Sequence, residues 1–156
     1  RELMVISYQR VGEMSELGPG WRYLLNVMEY GASLRVSEPA YAEAITDALL
    51  RAVQGDALTE LLLHAVRQDF LLSLTKMAEQ GELKEEVDVE HLATILLGNY
   101  WSTFMMINKG LEVISRMRIG LLVNVLSVLI ASSQGAAREE METTLEEIRR
   151  EVQSNA

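Results

Sequence analysis

The side chains that could perform catalytic or metal chemistry are few and scattered. The chain has two histidines, His64 and His91, and no cysteine. Neither histidine stands in an H-E-x-x-H arrangement, and neither a glycine-rich phosphate loop nor a G-x-S-x-G elbow occurs. We therefore expect no metal site, no cofactor and no catalysis, and we expect His91 to be a surface residue. An enzyme working through His64 and Asp69 is the third of three functional hypotheses, because no motif positions a second catalytic group.

Large aromatic and methionine side chains are the stronger candidates for binding chemistry. Methionine repacks easily, and tryptophan and tyrosine place a polar tip beside an apolar face, so these residue types suit cavities for small apolar ligands. The same residues at helical spacing also describe an ordinary core, and His64 is either a core histidine or a polar ligand contact. The predicted ligand-binding residues are Trp21, Met28, Tyr30, His64, Phe70, Tyr100, Trp101, Phe104 and Met105.

Helical periodicity and composition predict an all-α fold in a single domain, residues 1–156. Hydrophobic residues make up 49% of the chain, prolines number only two, and no stretch alternates at period two. Ser37, Asp56 and Asp88 are predicted helix N-caps, and Gly81 is predicted to end its helix in the left-handed conformation. The helices are predicted over about 1–17, 21–33, 37–53, 56–80, 88–107, 112–133 and 137–152.

The helices predicted at 88–107 and 112–133 are almost wholly apolar. Their uncharged runs fall short of the ~20 residues that a bilayer core requires, and the turn between them is charged, so a buried pair is favoured over a membrane hairpin. One chain of this size has few other helices to cover such a pair, and small residues recur along both helices. We expect a second copy to cover them through a twofold axis. The predicted dimer seam comprises Thr94, Gly98, Ser102, Gly120, Asn124, Ser127 and Ala131.

Charge bears on the partners and the location of the protein. The net charge of −9 has the wrong sign for a surface that neutralises phosphates, and the basic residues are scattered, so this chain itself is not expected to bind nucleic acid. No secretory signal pattern is present and cysteine is absent, which favours the cytoplasm. The chain starts at Arg1 in what reads as the interior of a helix, so we expect a further segment upstream.

One segment resembles the tetracycline-repressor (TetR) family of transcriptional regulators. It reads LTKMAEQGELKEEVDVEHLA over residues 74–93. In that family a long helix ends in a G-x-L turn, followed by D-x-D/E and the first helix of the dimer interface. The break at Gly55 and Asp56, the number and lengths of the helices, and the two closing apolar helices are also similar, over roughly 21–133.

The resemblance implies a multi-helix regulatory domain whose homodimer interface is a four-helix bundle, two helices from each copy. It implies a small-molecule effector held between the helices at 1–17, 21–33, 57–80 and 88–107. It further implies an N-terminal helix-turn-helix module, absent from this chain, as the only route to DNA. The leading hypothesis is the effector-binding and dimerisation domain of a repressor that a small apolar or amphipathic ligand releases from DNA. The alternative is a standalone helical interaction module or small-molecule carrier.

Overall fold

The structure is a computed structural model that describes residues 18–51, 57–111 and 114–154. Over these residues it is all-helical, which confirms the predicted fold class. The predicted first helix, the break at Gly55 and Asp56, and Glu112 lie outside the described residues. The helices are α1 (Trp21–Ser37), α2 (Pro39–Arg51), α3 (Ala57–Glu79), α4 (Val89–Asn108), α5 (Ile114–Ser132) and α6 (Gly135–Ser154).

The described helix ends test the predicted caps. Asp88 caps α4 as expected, because its carboxylate accepts a hydrogen bond of 3.1 Å from the backbone N–H of His91. Gly81 follows α3 with a φ of 72°, which confirms the left-handed helix end. The prediction of Ser37 as the cap of α2 is wrong. Ser37 is the last residue of α1, and α2 opens directly at Pro39, whose missing N–H leaves one fewer donor to satisfy in the first turn.

Helix α1 lies at the centre of the bundle. It packs against α2, α3, α4 and α5, and α6 packs against another side of α5. Its side chains enter a main hydrophobic cluster that α3, α4, α5 and α6 complete. Fully buried members of that cluster include Leu24, Met28, Phe70, Leu74, Met77, Leu96, Leu126, Leu129 and Met141.

The connection between α3 and α4 is hydrogen-bonded to the connection between α5 and α6 at one end of the bundle. Leu83, between α3 and α4, forms an isolated antiparallel bridge with Ser133, which follows α5. The backbone N–H of Lys84 donates to the Ser132 carbonyl at 3.0 Å, and the N–H of Gln134 donates to the Glu82 carbonyl at 2.8 Å. The G-x-L turn therefore ties the end of α3 to the end of α5 and holds α4 and α5 in a defined arrangement.

Across residues 18–51, 57–111 and 114–154, no helix combines the length and the apolar character needed to cross a bilayer. The same residues hold no group of His, Asp and Glu side chains arranged to bind a metal ion.

Candidate functional site

Four aromatic rings from α3 and α4 form a contact group around Tyr100, here called the aromatic cluster. The Tyr100 ring meets Trp101 edge to face at a centroid distance of 4.9 Å and Phe70 at 6.0 Å. Phe104 stacks on Tyr100 at 6.2 Å and meets Trp101 nearly perpendicularly at 5.5 Å. Such pairs contribute about 0.5–1.5 kcal/mol each beyond the area they bury. The Phe70–Tyr100 pair joins α3 to α4, and the other three pairs order the rings of α4 relative to one another.

The aromatic cluster reaches α1 through a glycine. A Cβ atom added at Gly31 would lie 2.2 Å from the Tyr100 hydroxyl oxygen and 2.5 Å from the nearest ring carbon. No side chain fits into that space, so the Tyr100 ring lies directly against the backbone of α1. A glycine inside a helix costs about 1 kcal/mol relative to alanine, and this close approach is the physical reason for it here.

A second hydrophobic cluster lies beside the main one, between the C-terminal halves of α1 and α4, the helix α2 and the start of α3. Its members are Leu34, Tyr41, Ala42, Ile45 and Phe104, with Tyr30, Leu49, Leu62 and Trp101 partly buried against them. Trp101 and Phe104 also belong to the aromatic cluster. The second cluster therefore continues from the aromatic rings towards α2.

Two hydrogen-bonding groups in this second cluster have no partner among the described residues. They are the Tyr30 hydroxyl and the Trp101 indole N–H, and both atoms are buried. Leaving a buried donor unsatisfied costs about 1–3 kcal/mol, so such groups are rare in folded proteins. The other buried polar side-chain atoms without a described partner are Ser73 Oγ, Asn108 Oδ1 and Ser133 Oγ. Of these, Asn108 lies one turn after Phe104, and its Nδ2 donates to the Phe104 carbonyl at 2.9 Å.

Burial raises the pKa of the Tyr100 hydroxyl well above its ordinary value of about 10, and neighbouring Tyr41 and Tyr30 raise it further. The neighbours matter because their phenol groups ionise in the same alkaline range, and phenolate charges close together repel one another. Tyr100 is therefore a neutral phenol at any physiological pH. The described part of the site presents neutral rings, neutral hydrogen-bonding groups and aliphatic side chains.

The structure brings together most of the predicted ligand-binding residues, in two groups. Trp21, Met28 and Phe70 are buried in the main cluster, which also includes Tyr100. Tyr30, Trp101 and Phe104 belong to the second cluster. The half-buried Met105 is a member of neither cluster. Because the main-cluster residues fill ordinary core positions, the second cluster is the candidate ligand site.

His64 is separated from the candidate site. Its side chain is exposed on α3, whereas the buried side of that helix carries Phe70 and Leu74. Asp69 is half-buried, and burial raises the pKa of its carboxyl group. Five residues along a helix correspond to a rotation of about 140°, so His64 and Asp69 point in different directions. The arrangement offers no support for an acid–base pair. His91 is exposed, as predicted.

The predicted dimer-seam residues lie on the exposed sides of α4 and α5, which together are here called the outer face. Its members are Thr94, Gly98, Ser102, Gly120, Asn124, Ser127 and Ala131; all are exposed except Gly120, which is half-exposed. None of these side chains carries a charge. A Cβ added at Gly98 or Gly120 would meet nothing within 4 Å in the described part of the molecule. Nearby Ile95 is 41% exposed.

Sequence reasoning missed two residues, one that packs against the aromatic cluster and one in the candidate site. Gly31 is one, although a lone glycine inside a predicted helix is a signal of close backbone approach. Tyr41 is the other; α2 has a simple amphipathic pattern, and nothing in that pattern distinguishes a tyrosine that faces Tyr100 from one that covers a core. The comparisons with known proteins add no further constraint: no protein-family model, no curated protein and no solved structure matches this chain.

Proposed function

We propose that this chain is the effector-binding and dimerisation domain of a one-component transcriptional regulator of the type that its 74–93 segment resembles. The DNA-reading module belongs, in this proposal, to a part of the protein outside this chain. No reaction is catalysed. The domain binds a small molecule between its helices and passes the resulting change to its dimer partner and to the attached module.

The observation that carries the proposal is the outer face of α4 and α5. Gly98 and Gly120 each cost about 1 kcal/mol of helix stability relative to alanine, and no described contact inside the chain requires either of them. A second helix that approaches closely supplies the missing reason. The small, uncharged neighbours of both glycines suit the same close approach.

A second copy of this chain is the occupant that the outer face suits best. Both helices carry small residues at intervals of three or four positions, so each helix can serve as both the inserted and the receiving surface. Self-complementarity of this kind is what a twofold interface requires, because the same patch must meet itself. Two helices from each copy then form the four-helix bundle.

The effector site in this proposal is the second cluster. It draws side chains from α1, α2, α3 and α4, so an occupant there contacts helices that are distant in the sequence. Helix α4 carries both Trp101, on the side of the site, and Gly98, on the outer face. A ligand that favours one position of α4 therefore favours one geometry of the dimer, which is a population shift and requires no new contact at the DNA.

The coding sequence immediately upstream of Arg1 tests the link to DNA. We expect it to encode a basic three-helix module with a helix-turn-helix, and we expect the full-length protein to bind DNA near its own gene. A start codon at this point, or an unrelated upstream domain, contradicts the regulatory role. In that case the helical domain is an interaction or carrier module.

A further inference from the structure

We infer that the second cluster binds an uncharged, largely apolar molecule that presents a hydrogen-bond acceptor, such as a ketone, ester or amide carbonyl, to Tyr30 and Trp101. This inference rests on the proposed function, since it specifies the ligand chemistry of the proposed effector site. It goes further in naming the two donors and the charge state of the ligand.

The need for an acceptor follows from the groups that lack partners. The indole N–H of Trp101 can only donate, so any occupant that satisfies it must supply an acceptor atom. The Tyr30 hydroxyl also has a proton to donate, and its oxygen is buried against the same cluster. The two buried donors come from α1 and α4 and pack in the same apolar cluster, so a ligand carbonyl that reached them would be oriented by both.

We expect the ligand to be uncharged because the two donors that would meet it are neutral. The hydrophobic side chains packed around those donors are aliphatic or aromatic and would not stabilise an ion. An ionised carboxylate transferred there would lose its hydration and gain only neutral hydrogen bonds, which is strongly unfavourable. The raised pKa of Tyr100 also describes surroundings that disfavour negative charge.

An ordered water is the competing occupant of these two donors. A buried water is typically held by two to four polar partners, and it would also satisfy both groups. The two assignments predict different binding affinities. If a ligand carbonyl occupies the site, a carbonyl compound displaces such a water, changes the environment of Trp101 and binds more tightly than a hydrocarbon of the same shape. If water stays in place, the carbonyl compound and the hydrocarbon bind with equal affinity.

The chain provides its own reporters for the test, because it contains only two tryptophans, Trp21 and Trp101. In protein labelled with ¹⁵N-tryptophan, each indole N–H gives one resonance, and Trp101→Phe assigns the pair. Acetophenone is titrated against α-methylstyrene, which replaces the carbonyl oxygen with a CH₂ group in the same shape. Benzophenone and 1,1-diphenylethylene form the same matched pair at larger size. Benzoate tests the effect of charge.

We expect the ketone of at least one pair to bind roughly tenfold tighter than its hydrocarbon, because the hydrocarbon leaves the donors unsatisfied. The Trp101 resonance should move and that of Trp21 should stay in place. Equal affinity within both pairs, no binding by any probe, an unmoved Trp101 resonance, or benzoate binding more tightly than acetophenone each overturns the inference.

Tyr30→Phe and Tyr23→Phe form a matched pair of variants. Both delete one hydroxyl from α1, but Tyr23 belongs to the main cluster and Tyr30 to the second. Tyr30→Phe should lower the ketone-to-hydrocarbon affinity ratio about fivefold or more, and Tyr23→Phe should leave it unchanged. An unchanged ratio in Tyr30→Phe overturns the role of Tyr30 even if the ketone binds.

Failure of this inference is separable from failure of the proposed function. If ketones and hydrocarbons bind equally, the proposals of an apolar effector site and a dimeric regulator stand, and only the requirement for a hydrogen-bond acceptor on the ligand is overturned. A monomeric protein that still prefers ketones overturns the regulator and keeps the ligand chemistry.

Discussion

Two glycines within helices have very different surroundings, one packed against the inner side of α4 and the other on its outer side. Gly31 of α1 faces inwards, where an added Cβ would lie 2.2 Å from the Tyr100 hydroxyl. Gly98 of α4 faces outwards, where an added Cβ meets nothing within 4 Å among the described residues. The fold of one chain explains the first glycine and leaves the second unexplained. In the proposed dimer, close approach of the partner's helix gives the reason for Gly98 that the described residues of one chain do not give.

The most direct test of the inner contact is Gly31→Ala. The added methyl group must displace the Tyr100 ring, which Phe70, Trp101 and Phe104 hold in place. Overpacking of this kind costs about 1–3 kcal/mol, and it acts against the helix-propensity gain of about 1 kcal/mol from replacing glycine. We expect a net loss of free energy of unfolding in urea, followed by circular dichroism.

The control for Gly31→Ala is the double variant Gly31→Ala/Tyr100→Leu, in which the clashing ring is gone. The alanine substitution should cost less in that background than in the native one, which gives a positive coupling energy in the double-mutant cycle. Additive losses would mean that the close approach of Tyr100 to α1 is not the reason for Gly31.

Gly98→Leu should weaken dimer association without lowering the stability of the folded monomer. A leucine in the seam costs about 1–3 kcal/mol of association, which is roughly a 5- to 150-fold increase in the dimer Kd by sedimentation. The unfolding free energy of the monomer should hold or rise by up to about 1 kcal/mol, since leucine favours the helix over glycine.

Thr75→Leu is the matched control for Gly98→Leu. It places the same side chain on an exposed position of α3, away from the outer face. The dimer Kd of Thr75→Leu should equal that of the unmodified chain. An equal loss of dimer in both variants would point to a general effect of surface leucine.

The raised pKa of Tyr100 predicts loss of stability in alkali. The folded protein keeps a phenol proton that the unfolded chain releases near pH 10. The contribution of Tyr100 to stability is therefore fully present below about pH 10 and declines above it, by up to about 1.4 kcal/mol per pH unit. Urea midpoints between about pH 9 and about pH 11 should show this decline, and Tyr100→Phe should show a shallower one.

Tyr30→Phe carries the smallest expected effect, a gain of about 1 kcal/mol in the free energy of unfolding of the ligand-free protein. The substitution removes a buried hydroxyl that has no described partner, along with its desolvation cost. Thermal and urea unfolding measure the change. A loss of stability would show that the hydroxyl is already satisfied in the ligand-free protein, and the second cluster would then lack one of its two proposed donors.

Local signals in the sequence were sufficient for the all-helical fold, and they singled out Tyr30, Trp101 and Phe104 among the side chains of the second cluster. Asp88 and Gly81 have short-range roles, a cap and a left-handed turn, which depend on a few neighbouring residues. The prediction for Ser37 is wrong because α1 extends through Ser37 and α2 opens at Pro39, two residues later. The aromatic residues of α4 could be chosen from one apolar stripe.

What the sequence could not supply was the way different helices meet. The division of the aromatic residues into a filled main cluster and a second cluster with two unsatisfied donors depends on the packing of α1, α2 and α4 together. Tyr41 joins the second cluster, and Gly31 meets Tyr100, only through that packing. No local pattern in the sequence shows that the Tyr30 hydroxyl lacks a hydrogen-bond partner, or that Phe70 is an ordinary residue of the main core.

Sedimentation of the unmodified 17.5 kDa chain over a range of concentrations tests the central claim most directly. The account predicts a species of twice that mass, which Gly98→Leu converts to monomer and Thr75→Leu leaves intact. A monomer at every concentration, or a dimer that Gly98→Leu leaves undisturbed, would contradict a seam on the outer face of α4 and α5.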